Sequence, residues 1–213
     1  VLATRDPSLR AQGIEALVVE KGSTGLIINP QNGKMGMRAS STAEVIFENC
    51  PVLEGNLLGE KGQGFGQAMV SLDASRISTA AQAVGIAQAA YENSLQYAKQ
   101  RQAFGRKIAE FQAIQWMIAD MATSINAARL LVYQAAVLRD KGVSFSTEAS
   151  MAKLFASRVA VESADKSVQI HGGAGYFAPA VVERLYRDAK VTEIYEGSSE
   201  IQRLVIARSL LGL

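Results

Sequence analysis

The sequence predicts a mainly α protein, an antiparallel four-helix-bundle domain preceded by a partial β-domain of a few antiparallel strands. Three observations carry this. Beyond residue 60, apolar residues recur at three- and four-residue steps over stretches longer than an ordinary globular helix. The breaks between these stretches are short, which sets successive helices antiparallel beside one another. Before residue 60 the chain instead shows short runs of branched residues separated by Gly, Asn and Pro. The expected domains are therefore residues 1–60 and 61–213.

Within residues 1–60, Ile14-Glu15-Ala16-Leu17-Val18-Val19-Glu20 reads as a first strand. Gly22-Ser23-Thr24-Gly25 breaks it, and Leu26-Ile27-Ile28 begins a second. Asn29 to Gly33 reads as a turn, with Asn32-Gly33 as a hairpin signal. Ala43 to Glu48 is a third strand. Three such strands make a poor domain alone, so they are expected to pair with strands outside this chain or to pack on helices. Gly62, Gly64 and Gly66 mark a loop into a helix expected over about Phe65–Gln100. Its stripe is Ile77, Ala80, Ala81, Val84, Gln88, Tyr91, Leu95 and Ala98. A break at Ala103-Phe104-Gly105 precedes a second helix over about Glu110–Asp140, striped by Ile114, Met117, Ile118, Met121, Ile125, Ala128, Val132 and Ala135. Lys141-Gly142 stops it. Ser146 or Thr147 can cap a third helix to about Ile170, with Ala152, Phe155, Val159 and Ala160 inward. Gly172 to Gly175 ends it. A short helix near Ala180–Leu185 and a last one over about Glu200–Leu211 follow.

Composition narrows the function. Net charge is +2, so nothing marks a nucleic-acid binder. No apolar run is long enough for a membrane span. One cysteine, Cys50, excludes an intrachain disulfide framework, and one histidine, His171, argues against a histidine metal site or a Ser/His/Asp triad. No metal site is expected. The start, Val1-Leu2-Ala3-Thr4-Arg5-Asp6, shows no secretory pattern and no initiator Met, and fits a chain that begins within a longer protein.

Four clusters have chemical potential. Asp73-Ala74-Ser75-Arg76 places an acid and a base three apart on the first long helix. That spacing is ordinarily a surface ion pair, or here the rim of a cleft between helices. Arg101-Gln102-Ala103-Phe104-Gly105-Arg106, with Gln112 beyond, offers guanidinium forks for phosphate and an aromatic face. Gln169-Ile170-His171-Gly172-Gly173-Ala174-Gly175-Tyr176 lets a ligand approach backbone N–H groups, or simply stops a helix. Tyr195-Glu196-Gly197-Ser198-Ser199-Glu200 sets a carboxylate on a turn at the mouth of a helix whose N–H groups suit an anion, or simply starts a helix with acids placed to suit its dipole.

Taken in order, Leu-Asp-x-x-Arg, Arg-x-x-Phe-Gly, Gln-x-x-Gly-Gly-x-Gly-Tyr, Arg187-Asp188-Ala189-Lys190 and Ile-Tyr-Glu-Gly-Ser-Ser-Glu-Ile-Gln resemble the acyl-CoA dehydrogenases, nearest the short-chain, butyryl-CoA type. The resemblance covers essentially the whole chain and implies an FAD flavoprotein that oxidises an acyl-CoA to its trans-2-enoyl-CoA. It makes Glu196 the base for the Cα proton and sets Gly197 against the substrate. Asp73, Ala74, Ser75 and Arg76 become the acyl-CoA-contacting turn. Ser198, Ser199 and Glu200 lie beside FAD, while Arg101, Phe104, Gln112, Gln169, Ile170, His171, Gly172 and Gly173 touch the FAD of a neighbouring subunit.

The resemblance further implies a tetramer, electron-transferring flavoprotein as acceptor, and a bacterial cytoplasmic or mitochondrial matrix location. Family members begin with a helical domain and a fuller β-domain, so this chain is expected to be their C-terminal half. A non-catalytic helical assembly module and an acyl-CoA oxidase are the alternatives.

Overall fold

The computed structural model describes residues 1–213. These divide into two compact units, one of residues 1–34 with 38–72 and one of residues 35–37 with 73–213. The division therefore falls at Leu72–Asp73, further along than residue 60.

In the first unit, β1 (Leu2–Thr4) pairs antiparallel with β2 (Ile14–Ala16) across a 3-10 segment, Pro7–Gly13. Asp6 caps that segment by accepting from the Ser8 N–H at 2.9 Å. β1 was not expected, because three residues are too few to show a period. The strand expected from Ile14 to Glu20 is cut to three residues. β3 (Leu26–Pro30) and β4 (Ala43–Phe47) form a second antiparallel pair, with Leu26 opposite Phe47 and Pro30 opposite Ala43. Asn32-Gly33 therefore does not close a two-residue hairpin; the whole of residues 31–42 joins these strands. Each sheet has only two strands, and Ile28, Val45 and Phe47 remain exposed.

The second unit is built on long helices. α1 (Gly64–Gln100) starts at the end of the first unit and continues through the second. With it run α2 (Gln112–Asp140) and α3 (Ser146–His171). Direction follows from cross-links. Arg76 and Ser94 of α1 bond Ser150 and Ser167 of α3, so these two helices are parallel. Lys166 of α3 pairs with Asp120 near the start of α2, so α2 runs opposite. The chain then forms a single turn, α4 (Gly173–Tyr176), and continues as α5 (Val181–Val191) and α6 (Ser199–Leu211). α5 outruns the helix expected to end near Leu185. On it, Arg187 donates to the Met35 carbonyl at 2.9 Å and Asp188 accepts from the Met37 N–H at 2.6 Å, which ties residues 35–37 to this unit.

The core is lined mainly by alanine: Ala80, Ala83, Ala87 and Ala90 of α1 face Ala128 and Ala135 of α2 and Ala152, Ala156, Ala160 and Ala164 of α3. Small side chains let helix axes approach closely. The α2 stripe lies where expected, with Met121, Ile125, Ala128, Val132 and Ala135 buried. The α1 stripe is partly displaced. Ala81 is exposed and Gln88 and Leu95 are half-buried, whereas Ala83, Ala87 and Ser94 are buried. Ser94 satisfies its hydroxyl on Ala90 and Ser167. Ser146 does not cap α3. It is the first helical residue, and its hydroxyl donates to Asp73 at 3.0 Å.

Candidate functional site

α5 ends in a buried threonine: the Thr192 hydroxyl donates back to the Ala189 carbonyl at 2.7 Å. The N–H groups of Ile194 and Tyr195 both reach the Val191 carbonyl, at 2.9 and 3.1 Å, and that of Ser199 reaches Glu193 at 3.0 Å. These bonds fold residues 192–198 into one tight turn. At its tip, Glu196 has φ 55° and Gly197 φ 90°. Glycine adopts the left-handed region freely, whereas a residue with a Cβ loses about 1–2 kcal/mol there. A strained glutamate points to a functional constraint. Three hydrogen bonds from two side chains hold the strain. Gln202 Nε2 donates to the Glu196 and Gly197 carbonyls at 3.0 and 2.9 Å, and Lys153 Nζ donates to the Gly197 carbonyl at 2.7 Å.

The Glu196 carboxylate meets α1. Ser75 Oγ donates to its Oε2 at 2.5 Å across 121 residues of chain. The backbone N–H of Glu196 has no acceptor within the chain. A half-buried carboxylate and a free donor thus share one residue.

Asp73 and Arg76 depart from the surface pair or cleft rim expected of them. Arg76 is only 7% exposed; its Nη1 donates to Asp73 at 2.5 Å and to Ser150 at 3.3 Å. Its guanidinium faces into the bundle and, with Ser146 on Asp73, knots α1 to α3. Ala74 lies on the same turn, half-buried.

Ser198, Ser199 and Glu200 open α6 and, with Phe155, Arg158, Lys190 and Arg203, line a cavity of about 640 Å³. The Glu200 carboxylate is held below its ordinary range by its own backbone N–H and by the Ser198 hydroxyl. Glu193 lines it too, and Lys190 and Arg203 pair with Glu193 and Glu200, so three cations, two carboxylates and two hydroxyls meet at the start of α6.

The remaining candidates gather elsewhere. β5 (Gln102–Ala103) and β6 (Arg106–Lys107) form a hairpin whose two turn residues, Phe104 and Gly105, have φ 52° and 78°. Two successive positive φ values make this a type I′ turn. The expected break at 103–105 is thus a built hairpin, and it thrusts Phe104 out 95% exposed. Arg106 stacks over Phe111 at 4.2 Å, Arg101 leads into the hairpin, and Gln112 begins α2. Nearby, His171 stacks on Tyr97 at 4.2 Å. His171 Nδ1 lies 2.8 Å from the Ser167 carbonyl, which can only accept, so Nδ1 carries the proton. Gln169 is exposed, but Ile170 is 4% exposed and belongs to the core rather than to a ligand-facing surface. At Gly172 and Gly173 an added Cβ would meet nothing in this chain.

Ser75 and Tyr97 mark the two groups on one helix. Their separation of 22 residues corresponds to about 33 Å along α1. One chain therefore brings Ser75, Glu196, Gly197 and Ser198–Glu200 together at one end of the bundle. It holds Arg101, Phe104, Gln112 and Gln169–Gly173 at the other, and does not join the two.

Sequence reasoning missed Lys153, Gln202 and Gln82. The Tyr195 hydroxyl donates to Gln82 Oε1, and burial raises the Tyr195 phenol above its ordinary range. Lys153 is fully buried on α3, and burial pushes its ammonium down to about 8 against the pull of Glu193, Glu196 and Glu200. Its one signal in the sequence is a lysine at an inward position beside Ala152 and Ala156.

Comparison with known proteins adds the family dimension. The family model described as acyl-CoA dehydrogenase, C-terminal domain, matches residues 62–211. An acyl-CoA dehydrogenase of Bacillus subtilis (strain 168) is 53% identical over 206 residues, which is 97% of this chain and 54% of that protein. The mitochondrial short-chain specific acyl-CoA dehydrogenase of Rattus norvegicus is 49% identical over 99% of this chain and 51% of that protein. The structure of butyryl-CoA dehydrogenase from Megasphaera elsdenii superposes with a TM-score of 0.97 at 44% identity, over 99% of this chain and 55% of that one. The chain spans about half the length of the curated relatives it matches.

Proposed function

This chain belongs to the acyl-CoA dehydrogenase family, and on that premise we propose that it carries the proton-abstracting part of an FAD-dependent short-chain acyl-CoA dehydrogenase. The reaction is α,β-dehydrogenation of the thioester to its trans-2-enoyl-CoA. The observation that carries the reading is Glu196, a half-buried carboxylate on a strained turn whose own N–H has no internal acceptor.

The chemistry asks for both halves of that residue. A proton on the carbon next to a thioester is only weakly acidic, so a base must act while a donor steadies the charge growing on the thioester oxygen. The Glu196 carboxylate takes the Cα proton, and its free N–H is available to that oxygen. Ser75, bonded to Oε2, orients the carboxylate and leaves Oε1 for the substrate. Gly197 adds no side chain where the acyl group must pass. Asp73 and Arg76 act from beneath, by fixing the turn of α1 that presents Ser75.

The residues fit FAD in two places. Ser198, Ser199 and Glu200, with Arg158, Lys190 and Arg203, offer hydroxyls and positive charge for its polar and diphosphate parts. Phe104 and Arg101, with Gln112 and the uncovered backbone at Gly172 and Gly173, offer an aromatic face, a cation and room for close approach, while the Gly172 N–H itself is spent on the Val168 and Gln169 carbonyls. When bound, FAD supplies a two-electron acceptor that takes the Cβ hydrogen as hydride at N5. The distance between the two sets supports a homo-oligomer, a tetramer by family resemblance, in which the hairpin serves a neighbouring copy. Electron-transferring flavoprotein is the proposed acceptor. A bacterial cytoplasm or mitochondrial matrix is the proposed setting. No helix is long and apolar enough to cross a membrane.

The test is Glu196→Gln in the FAD-loaded enzyme. The variant should retain yellow, bound FAD but lose bleaching by butyryl-CoA, with a rate loss of roughly 10²-fold or more, as for removal of a general base. Retained bleaching would overturn the assignment. Peroxide release during turnover would move the reading to an oxidase.

A further inference from the structure

We infer that Lys153 is a positioning residue for Glu196, acting through the carbonyl of Gly197. This rests on the reading of Glu196 as the base.

Lys153 lies on the inward face of α3 with no exposed surface, between alanines at 152 and 156. Burying an ammonium is unfavourable, and an alanine-lined helix interface has no packing need for one. Its hydrogen-bond partner is not a carboxylate but the Gly197 carbonyl, at 2.7 Å. Gln202 converges on the same turn and donates to two successive carbonyls, those of Glu196 and Gly197. Its own Oε1 is buried without a partner. An amide that leaves its acceptor unsatisfied in order to donate twice indicates that those carbonyls are what the site is built to hold.

The geometry explains why. In a trans peptide the C=O and N–H point in opposite directions. With the carbonyls of Glu196 and Gly197 drawn toward Gln202 and Lys153, the N–H groups of Gly197 and Ser198 are turned the other way. The two peptide planes on either side of Gly197 are then set in its left-handed conformation, beside the Glu196 side chain that meets Ser75. A charged donor holds a carbonyl more firmly than a neutral one. The charged groups facing the ammonium are Glu193, Glu196, Glu200 and Arg76, and burial brings its titration down to about 8.

The experiment compares Lys153→Met, Lys153→Gln, Gln202→Met, the Lys153→Met/Gln202→Met double variant and Glu196→Gln as FAD-loaded enzymes, reading flavin content, kcat and KM for butyryl-CoA. Lys153→Met should keep its FAD and lose roughly 10- to 100-fold in kcat, as a base displaced by a fraction of an ångström does. KM should stay within about threefold. Lys153→Gln keeps a donor for the Gly197 carbonyl and should recover part of that loss; if Lys153→Met does not fold, Lys153→Gln alone should lose roughly threefold or more in kcat at unchanged KM. Gln202→Met should slow turnover in the same way. The double variant should be less impaired than the product of the two single effects. Wild-type kcat in the Lys153 variants, beside an inactive Glu196→Gln, would overturn the inference alone. An active Glu196→Gln would instead overturn the reading of the base on which it rests.

Discussion

Gly197 and Gly173 look alike in the sequence, each in a glycine-containing motif, yet the structure uses them differently. Gly197 has φ 90°, and a Cβ there would come within 2.7 Å of Gln202 Nε2, the donor that holds the turn. Gly197→Ala is therefore expected to lower stability by about 1–2 kcal/mol from the backbone strain alone. Chemical denaturation measures this, with Gly173→Ala as the unstrained control, since nothing in the chain opposes a Cβ at that position. At this scale the turn at Glu196 was legible and its support was not. Glu196 stands in a recognisable string beside a glycine. Lys153 gives only the cue of its inward position among alanines, because reading by pattern assigns lysine to solvent, and its partner Gly197 is 44 residues away.

Among the elements, α2 was easier to read than α1, and the reason is side-chain size. Ile, Met and Val mark the buried face of α2 without ambiguity. α1 carries alanine on several faces, at 80, 81, 83, 87, 89 and 90, so its stripe can be drawn more than one way. The structure buries Ile77, Ala80, Ala83, Val84, Ala87, Ala90, Ser94 and Ala98, mostly at three- and four-residue steps, and fills one position with a serine that bonds across to α3. The β5–β6 hairpin was hidden for another reason: Phe is an unusual occupant of a type I′ turn, where Asn or Gly gives the usual signal. The alanine seam has a measurable consequence. Ala156 is fully buried where helices approach closely, so Ala156→Leu should overpack the seam and lower stability by about 1–3 kcal/mol in thermal or urea unfolding. Leu at exposed Ala81 should change little.

Taken whole, the helical unit puts the Glu196 turn at one end and its exposed aromatic hairpin at the other. The division at Leu72–Asp73 came from tertiary contacts that no local composition announces, and residues 35–37 join the helical unit only because Arg187 and Asp188 of α5 bond them. The distance from Ser75 to the end of α1 at Gln100, 25 residues or about 38 Å, follows by contrast from the single helix expected over Phe65–Gln100. The sheets of the other unit have two strands each and leave apolar residues such as Ile28 and Phe47 exposed.

That span along α1 has a genetic reading. If each flavin draws its base from one copy and its aromatic hairpin from the next, a damaged hairpin harms the neighbour and spares its own carboxylate. Chains carrying Glu196→Gln and chains carrying Arg101→Glu would then each be inactive alone, yet restore one another when co-expressed, because some mixed oligomers would pair an intact carboxylate with an intact hairpin. Butyryl-CoA turnover by the purified mixture measures it, and two defective alleles would add up to a working enzyme.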